Sequence, residues 1–284
     1  MVFVAALVPA GAQISKIDPT LLGKATAGDA QSQYLVGRAY LQGKGVAQDD
    51  TQAAAWFQKA AEQGHAQAQY QLGQLYHSGQ GVSQSDTQAA SWYRKAADKG
   101  VAGAELGLGI LYDHGQGVPQ NEGLAAEWYR KAALQDNAEA QYNLGTLYER
   151  GLGVPQDYAQ AVDLYRRAAN QGHASAQFNL ALLYDNGEGV DRDYSEAAKW
   201  YNKAADQGVS RAQFNLGSMF AAGQGVPVNM VEAYYWLDLA ANTWNGDRQQ
   251  QAIKARDMVA ARLGPTELFN AQQRASKWLA SHQK

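Results

Sequence analysis

The sequence predicts an all-α solenoid of six 36-residue helix–turn–helix repeats with a C-terminal helical cap. Three observations predict it. Gly-x-Gly-Val recurs at 43–46, 79–82, 115–118, 151–154, 187–190 and 223–226, each copy 36 residues after the last. A second marker keeps the same period: Trp56-Phe57, Trp92-Tyr93, Trp128-Tyr129, Leu164-Tyr165, Trp200-Tyr201 and Trp236-Leu237. Finally, 6 prolines against 29 glycines in 284 residues suggest helices separated by glycine turns.

In chain order, residues 1–12 differ from everything after them. Residues 2–8 are an apolar run, and Ala10-Gly11-Ala12 fits the small-x-small pattern of a signal-peptidase site. A positive n-region is missing, so this stretch reads as a signal peptide with a truncated or misassigned start, or as a frayed, sticky tail. Export implies a periplasmic or secreted protein; otherwise the protein is cytoplasmic. No stretch approaches the roughly 20 apolar residues of a membrane-spanning helix. Residues 13–27 follow, in which Asp18-Pro19 opens a short capping helix.

The repeats occupy 28–243. In the second copy, Ala66, Gln69, Leu72-Gly73 and Tyr76 are three or four apart, the period of one helix face. Gly79 suits the left-handed residue that ends a helix, and Gly81 permits the tight return. The next helix opens at an N-cap in every copy: Asp49, Ser85, Asn121, Asp157, Asp193 and Asn229. Three residues later stand Gln52, Gln88, Gln160, Glu196 and Glu232, as in a capping box, with Leu124 the exception. The second helix buries an alanine–aromatic stripe such as Ala89, Trp92, Tyr93 and Ala96. It ends near Gly64, Gly100, Gly172 or Gly208, and Asp136 replaces glycine once. Gly37, Gly73, Gly109, Gly145 and Gly217 fall in mid-helix, with Ala181 at the remaining copy. Glycine there costs about 1 kcal/mol against alanine, so close approach of the paired helix and its Trp is expected to compensate. Residues 244–284 leave the repeat: 247–262 and 265–281 read as two helices. Leu268, Ala271, Ala275, Trp278 and Leu279 form a stripe that covers the solenoid's exposed end.

The pattern Ala-x-x-x-Leu-Gly-x-x-Tyr-x-x-Gly-x-Gly-Val, then Ala-x-x-Trp-Tyr-x-x-Ala-Ala, resembles the Sel1-like repeats, relatives of the tetratricopeptide repeat. The resemblance implies right-handed α/α superhelical stacking with first helices lining the concave face. It also implies an adaptor or regulatory role, often in bacterial periplasm, secretion or host contact. Some cysteine-rich relatives bind penicillins, but this chain has no cysteine, hence neither their cysteine pairs nor a thiolate site.

Positions that vary among copies are free to meet solvent or a partner. In the first helices they fall at spacings of four, three and four, which is one helix face. The stripes are Gln31, Leu35, Arg38, Gln42; Gln67, Gln71, Gln74, Ser78; Gly103, Gly107, Ile110, His114; Glu139, Asn143, Thr146, Arg150; Ser175, Asn179, Leu182, Asn186; and Arg211, Asn215, Ser218, Ala222. Gln71, Asn143, Asn179 and Asn215 share one equivalent position. A carboxamide both donates and accepts, matching the peptide group of an extended chain, and related tetratricopeptide domains clamp peptides with groove asparagines. Arg38, Arg150 and Arg211 lie on the same face, and the last two could bind an acidic side chain or a carboxy terminus. The expected partner is therefore a protein or peptide segment.

Other functions rank lower. Cell-wall or polysaccharide binding favours exposed aromatics, and this stripe holds none. A net charge of −3 and three groove arginines argue against nucleic acid. Weak β-lactam hydrolysis, as in the cysteine-rich relatives, lacks a nucleophile constellation, and no catalytic residue, cofactor or metal is expected. The five histidines show no ligand pair at helical spacing, and His65 and His173 stand three repeats apart. Tyr158, Tyr194, Tyr234 and Tyr235 either form a lateral contact patch or pack between neighbouring repeats.

Overall fold

The computed structural model describes residues 17–282, so the apolar segment 1–12 lies outside the described residues. All regular structure in the described residues is helical. Helix α1 (Pro19–Thr26) is capped by the Asp18 carboxylate. First and second helices of six repeats then alternate along the chain: α2 (Ala30–Gln42) and α3 (Asp50–Glu62), α4 (Ala66–Ser78) and α5 (Asp86–Ala97), α6 (Ala102–His114) and α7 (Glu122–Leu134). The others are α8 (Ala138–Arg150) with α9 (Tyr158–Asn170), α10 (Ala174–Asn186) with α11 (Tyr194–Asp206), and α12 (Ser210–Ala222) with α13 (Met230–Thr243). The chain ends with α14 (Gly246–Ala260) and α15 (Pro265–His282). Two compact units divide it: one ends at Asn121 and the other starts at Glu122.

The turn inside each repeat follows from its two glycines. The first takes the left-handed conformation that ends the first helix, at φ between 63° (Gly43) and 75° (Gly187). The second, also at positive φ, lies against backbone. A Cβ on Gly81 would stand 2.1 Å from the Asp50 carbonyl oxygen, and one on Gly117 2.2 Å from the Asp86 carbonyl carbon. In the second unit Gly153, Gly189 and Gly225 meet Glu122, Tyr158 and Tyr194 in the same way. From the second repeat on, this glycine seats the turn on the start of the preceding repeat's second helix.

Asp49, Ser85, Asp157, Asp193 and Asn229 cap the second helices with their side chains. The reciprocal half of a capping box does not form. The cap's own backbone N–H donates instead to a carbonyl of the first helix, as Ser85 does to Tyr76 and Asp157 to Tyr148. At position three Gln52, Gln88 and Gln160 are exposed, whereas Glu196 and Glu232 pair with Lys199 and Arg274. Asp136, in glycine's usual place, takes φ 58°.

Packing within each unit repeats the same contacts. In the first, Ala53, Phe57, Ala60, Leu72, Leu75 and Trp92 share one core. In the second, Ala161, Tyr165, Leu180, Ala197, Tyr201 and Leu216 continue the pattern. The mid-helix glycines are explained by the residue after the tryptophan, not by the tryptophan itself. A Cβ on Gly73 would lie 2.6 Å from the Tyr93 ring, one on Gly145 2.8 Å from Tyr165, and one on Gly37 2.8 Å from Phe57. Ring burial of about 1.5–3 kcal/mol per side chain outweighs the helix cost of glycine. The tryptophans flank the stripe, and a lysine one turn on covers the indole: Lys95 Nζ and Lys203 Nζ each lie 3.8 Å from the centroid of Trp92 and Trp200.

A buried amide ladder ties successive repeats together. Gln177 Nε2 donates to the Ala169 carbonyl at 3.0 Å, and Gln207 Nε2 donates to Gln177 Oε1 at 2.8 Å. Gln33 with Gln63 and Gln141 with Gln171 do the same. Gln69 keeps the first bond, to Ala61, but its Oε1 is buried without a partner. Position 99 supplies Lys99, which reaches the Gly64 carbonyl instead of this oxygen.

At the C-terminal end of the second unit, Ala271 and Ala275 of α15 are buried, and Trp278 and Leu279 pack on the repeat core. Arg274 pairs with Glu232 and lies over the Tyr235 ring. Tyr234 and Tyr235 are buried, and Tyr158 and Tyr194 are half-buried against the same core, so these tyrosines pack between elements.

Candidate functional site

Within a unit, each first helix is flanked by the second helix of its own repeat and that of the preceding one. Thus α4 packs on α3 and α5, and α10 on α9 and α11. The alanine, leucine and glycine positions enter those contacts, and the variable stripe is what remains. Arg38, Arg150 and Arg211 are exposed; Gln71, Asn143, Asn179 and Asn215 are half-buried. Gln71 and Arg38 belong to the first unit, and Asn143, Arg150, Asn179, Arg211 and Asn215 to the second.

In the second unit Asn179 and Asn215 are not isolated. Asn179 Nδ2 donates to Tyr165 Oη at 3.1 Å. That hydroxyl donates to Glu149 Oε2 at 2.5 Å and lies 3.1 Å from Thr146 Oγ1. One repeat on, Tyr201 Oη donates to Asp185 Oδ2 at 3.2 Å and is hydrogen-bonded by Asn215. Burial, reinforced by the neighbouring carboxylate, pushes both phenols well above the ordinary tyrosine range. They stay protonated and act as donors to Glu149 and Asp185. Asn179 and Asn215 are therefore held through their amide nitrogens, which leaves each carbonyl oxygen to accept from outside.

Sequence reasoning singled out the asparagines but missed Glu149, Asp185, Tyr165 and Tyr201. A signal existed: an acidic residue 16 before and an asparagine 14 after the tyrosine recur as Asp113, Tyr129, Asn143; Glu149, Tyr165, Asn179; and Asp185, Tyr201, Asn215.

The stripe of the first unit is built differently. Arg38 joins Leu35, Gln42 and Leu21 around an open pocket of about 380 Å³. Farther on, the missing side chains of Gly103 and Gly107 are occupied by the rings of Tyr70 and Tyr93, 2.7 and 2.9 Å from where a Cβ would stand. Aromatic rings therefore border this face although no stripe position is aromatic. Tyr70 is half-buried and accepts from Gln74 Nε2 at 2.9 Å.

The histidines serve the scaffold. His65 Nδ1 caps α4 by accepting from the Ala68 N–H at 3.1 Å, its ring stacks on Tyr34, and its Nε2 lies 2.8 Å from Gln31 Oε1. His173 caps α10, stacks on Tyr142, and places Nε2 3.0 Å from Glu139. Burial lowers the His65 pKa below its ordinary value, keeping the ring neutral for this capping role. Among the described residues no three His, Asp or Glu side chains converge as metal ligands, and no helix is long and apolar enough to cross a membrane.

Comparison with known proteins agrees with this architecture. The Sel1 repeat model matches six consecutive segments: 30–65, 66–101, 102–137, 138–173, 174–209 and 210–242. The crystal structure of c5321, a protective antigen present in uropathogenic Escherichia coli strains and displaying an SLR fold, is 34% identical with a TM-score of 0.80. That match covers 91% of this chain and 56% of the antigen. The chain thus spans little more than half of that relative's length. A Sel1 repeat protein from Oxalobacter formigenes is 31% identical with a TM-score of 0.66, over 84% of this chain and 99% of the other. No curated protein sequence matches. Sel1 repeat proteins generally mediate protein–protein interaction, on a fold that typically serves as a non-catalytic scaffold. With six matched repeats accounting for the helix pairs from α2 to α13, the chain belongs to the Sel1 repeat family.

Proposed function

We propose that this protein is an adaptor that holds an extended segment of a partner protein along the uncovered face of its first helices. The observation that carries the reading is the asparagine–tyrosine–carboxylate set of the second unit. Asn179 and Asn215 recur at one position of successive repeats, each held by a buried tyrosine. A carboxamide already fixed in orientation loses little freedom when a peptide N–H reaches its oxygen. Arg150 and Arg211, exposed on the same face, supply charge-assisted donors to an acidic side chain or a terminal carboxylate. Gln71 and Arg38 extend the same chemistry on the first unit. The apolar residues 2–8 and Ala10-Gly11-Ala12 add export to the proposal, with the partner in the bacterial envelope.

The test is an affinity pull-down from envelope extract with wild type and with Asn143, Asn179 and Asn215 all changed to alanine. Circular dichroism checks that the helices persist. A protein retained by wild type, lost by the variant, and reproduced by a peptide from its sequence is the expected result. Retention of the same protein by both would exclude the asparagine face. Retention of none, with binding to purified cell-wall polysaccharide, would favour the carbohydrate reading, which the half-buried Tyr70 ring supports.

A further inference from the structure

A side-chain pair bridges successive repeats on the side away from the asparagines. Arg94 Nη2 of α5 donates to Tyr112 Oη of α6 at 2.8 Å. Arg130 of α7 donates to Tyr148 of α8 at 3.2 Å, and Arg166 of α9 to Tyr184 of α10 at 2.9 Å. One junction later, between α11 and α12, the equivalent residues are Asn202 and Phe220. Phe220 has no hydroxyl, and Asn202 Nδ2 turns back to Asp206 of its own helix at 3.1 Å. The bridge is gone.

An open pocket of about 520 Å³ lies at that place, with Trp200, Leu216, Phe220 and Val226 in its wall. A smaller pocket of about 170 Å³, at a different place in the repeat, is lined by Arg130 and Tyr148 together with Asp163, Leu164 and Arg167 of α9. The charge at the rim changes at the same junction. Position 199 is a lysine here but Glu127 and Asp163 in the two preceding repeats. Lys199 Nζ pairs with Glu196 at 2.6 Å, and Lys203 Nζ lies 3.8 Å from the Trp200 centroid. Two ammonium groups and one carboxylate therefore surround an apolar, indole-walled hollow.

We propose that this hollow is a second binding site, separate from the asparagine face, for a small amphipathic anion: an aromatic or branched aliphatic body carrying one carboxylate or sulfonate. Its volume falls within the roughly 300–1,000 Å³ of small-molecule sites. The body displaces water from Phe220, Val226 and the uncovered edge of Trp200, and the anionic group meets Lys203 and Lys199. The arginine is also missing at α3–α4, where Gln58 turns to Glu62, but Tyr76 keeps its ring and hydroxyl there; at α11–α12 both partners of the bridge are lost and the charge at position 199 is reversed. Together these changes supply both halves of that chemistry.

The test uses 8-anilinonaphthalene-1-sulfonate as the probe anion and the neutral N-phenyl-1-naphthylamine as its control, on the full chain. Wild type binds one equivalent of the anion with enhanced fluorescence. The double change Asn202→Arg and Phe220→Tyr, which installs a pair the chain already carries elsewhere, lowers that affinity at least about tenfold. Val226→Trp, at the rim, fills the same hollow and gives the same loss should the double variant melt early. Lys199→Gln with Lys203→Gln weakens the anion several-fold and leaves the neutral dye unchanged. Undiminished anion binding by both filled variants would overturn the site, and equal effects of the lysine changes on the two dyes would overturn its preference for anions.

Discussion

Tyr93 in the first unit and Tyr165 in the second occupy the same slot and are surrounded differently. Each ring fills the space opposite a mid-helix glycine, Gly73 or Gly145. Burial raises the pKa of both phenols. Around Tyr165 the hydroxyl meets Glu149, Thr146 and Asn179. The positions equivalent to Glu149 and Asn179 are, around Tyr93, His77 and Gly107. His77 turns to Asp86 at 2.7 Å, and Gly107 leaves only room for the ring edge. The repeat thus specifies the ring, while the hydroxyl joins a network only where the variable face is polar. Recognition chemistry can be added to this scaffold without altering its packing.

If the scaffold is the same on both sides of the comparison, breaking it should cost the same in either unit. Gly189→Ala would place a Cβ 2.3 Å from the Tyr158 carbonyl carbon at φ 69°, and Gly117→Ala one 2.2 Å from Asp86 at φ 67°. Each is expected to lose about 3 kcal/mol or more in urea denaturation. A loss under about 1 kcal/mol in either would show that the turn does not hold neighbouring repeats together. A smaller effect sharpens the contrast between the tyrosines. Tyr165→Phe strands polar partners and should cost about 1–3 kcal/mol, whereas Tyr93→Phe should stay within about 0.5 kcal/mol. Equal costs would erase the distinction.

The smallest effect concerns acid. The His65 pKa is depressed below 6.5 by burial, so its neutral cap contributes fully above 6.5 and is lost as pH falls from there towards the folded-state value. Wild type should therefore lose on the order of 1 °C more in Tm than His65→Asn between about pH 7.5 and 5, a modest shift because the ring is partly solvated. Gln31→Glu, which copies Glu139 beside His173, should shrink that difference. An unchanged difference would mean that the neighbour at Nε2 has no influence.

Much of the fold was legible because its signals are local. Glycines at positive φ, the N-caps at Asp49, Ser85, Asp157, Asp193 and Asn229, and Asp136 standing in for glycine all act within a few residues of themselves. Which of two adjacent aromatics faces the paired helix was not legible. Tryptophan and its neighbour lie about 100° apart on the helix, and only the packed structure shows that Tyr93, not Trp92, fills the space at Gly73. The site was half visible: the asparagines stood out as a repeated polar position, but their tyrosine and carboxylate partners come from two earlier helices. The loss of the Arg–Tyr bridge was hidden for the same reason, since its partners lie 18 residues apart.

The second glycine of each turn also bears on how such a chain changes length. Its contact is with backbone at residues as unlike as Asp50, Asp86, Glu122, Tyr158 and Tyr194, so it is indifferent to the side chains on the other side. Recombination between any two copies of the underlying coding sequence, adding or removing whole multiples of 36 residues, would leave a glycine facing a helix start of the same geometry. A lineage can therefore lengthen or shorten this protein in one event and keep it foldable, while substitutions at the variable positions proceed independently in each copy.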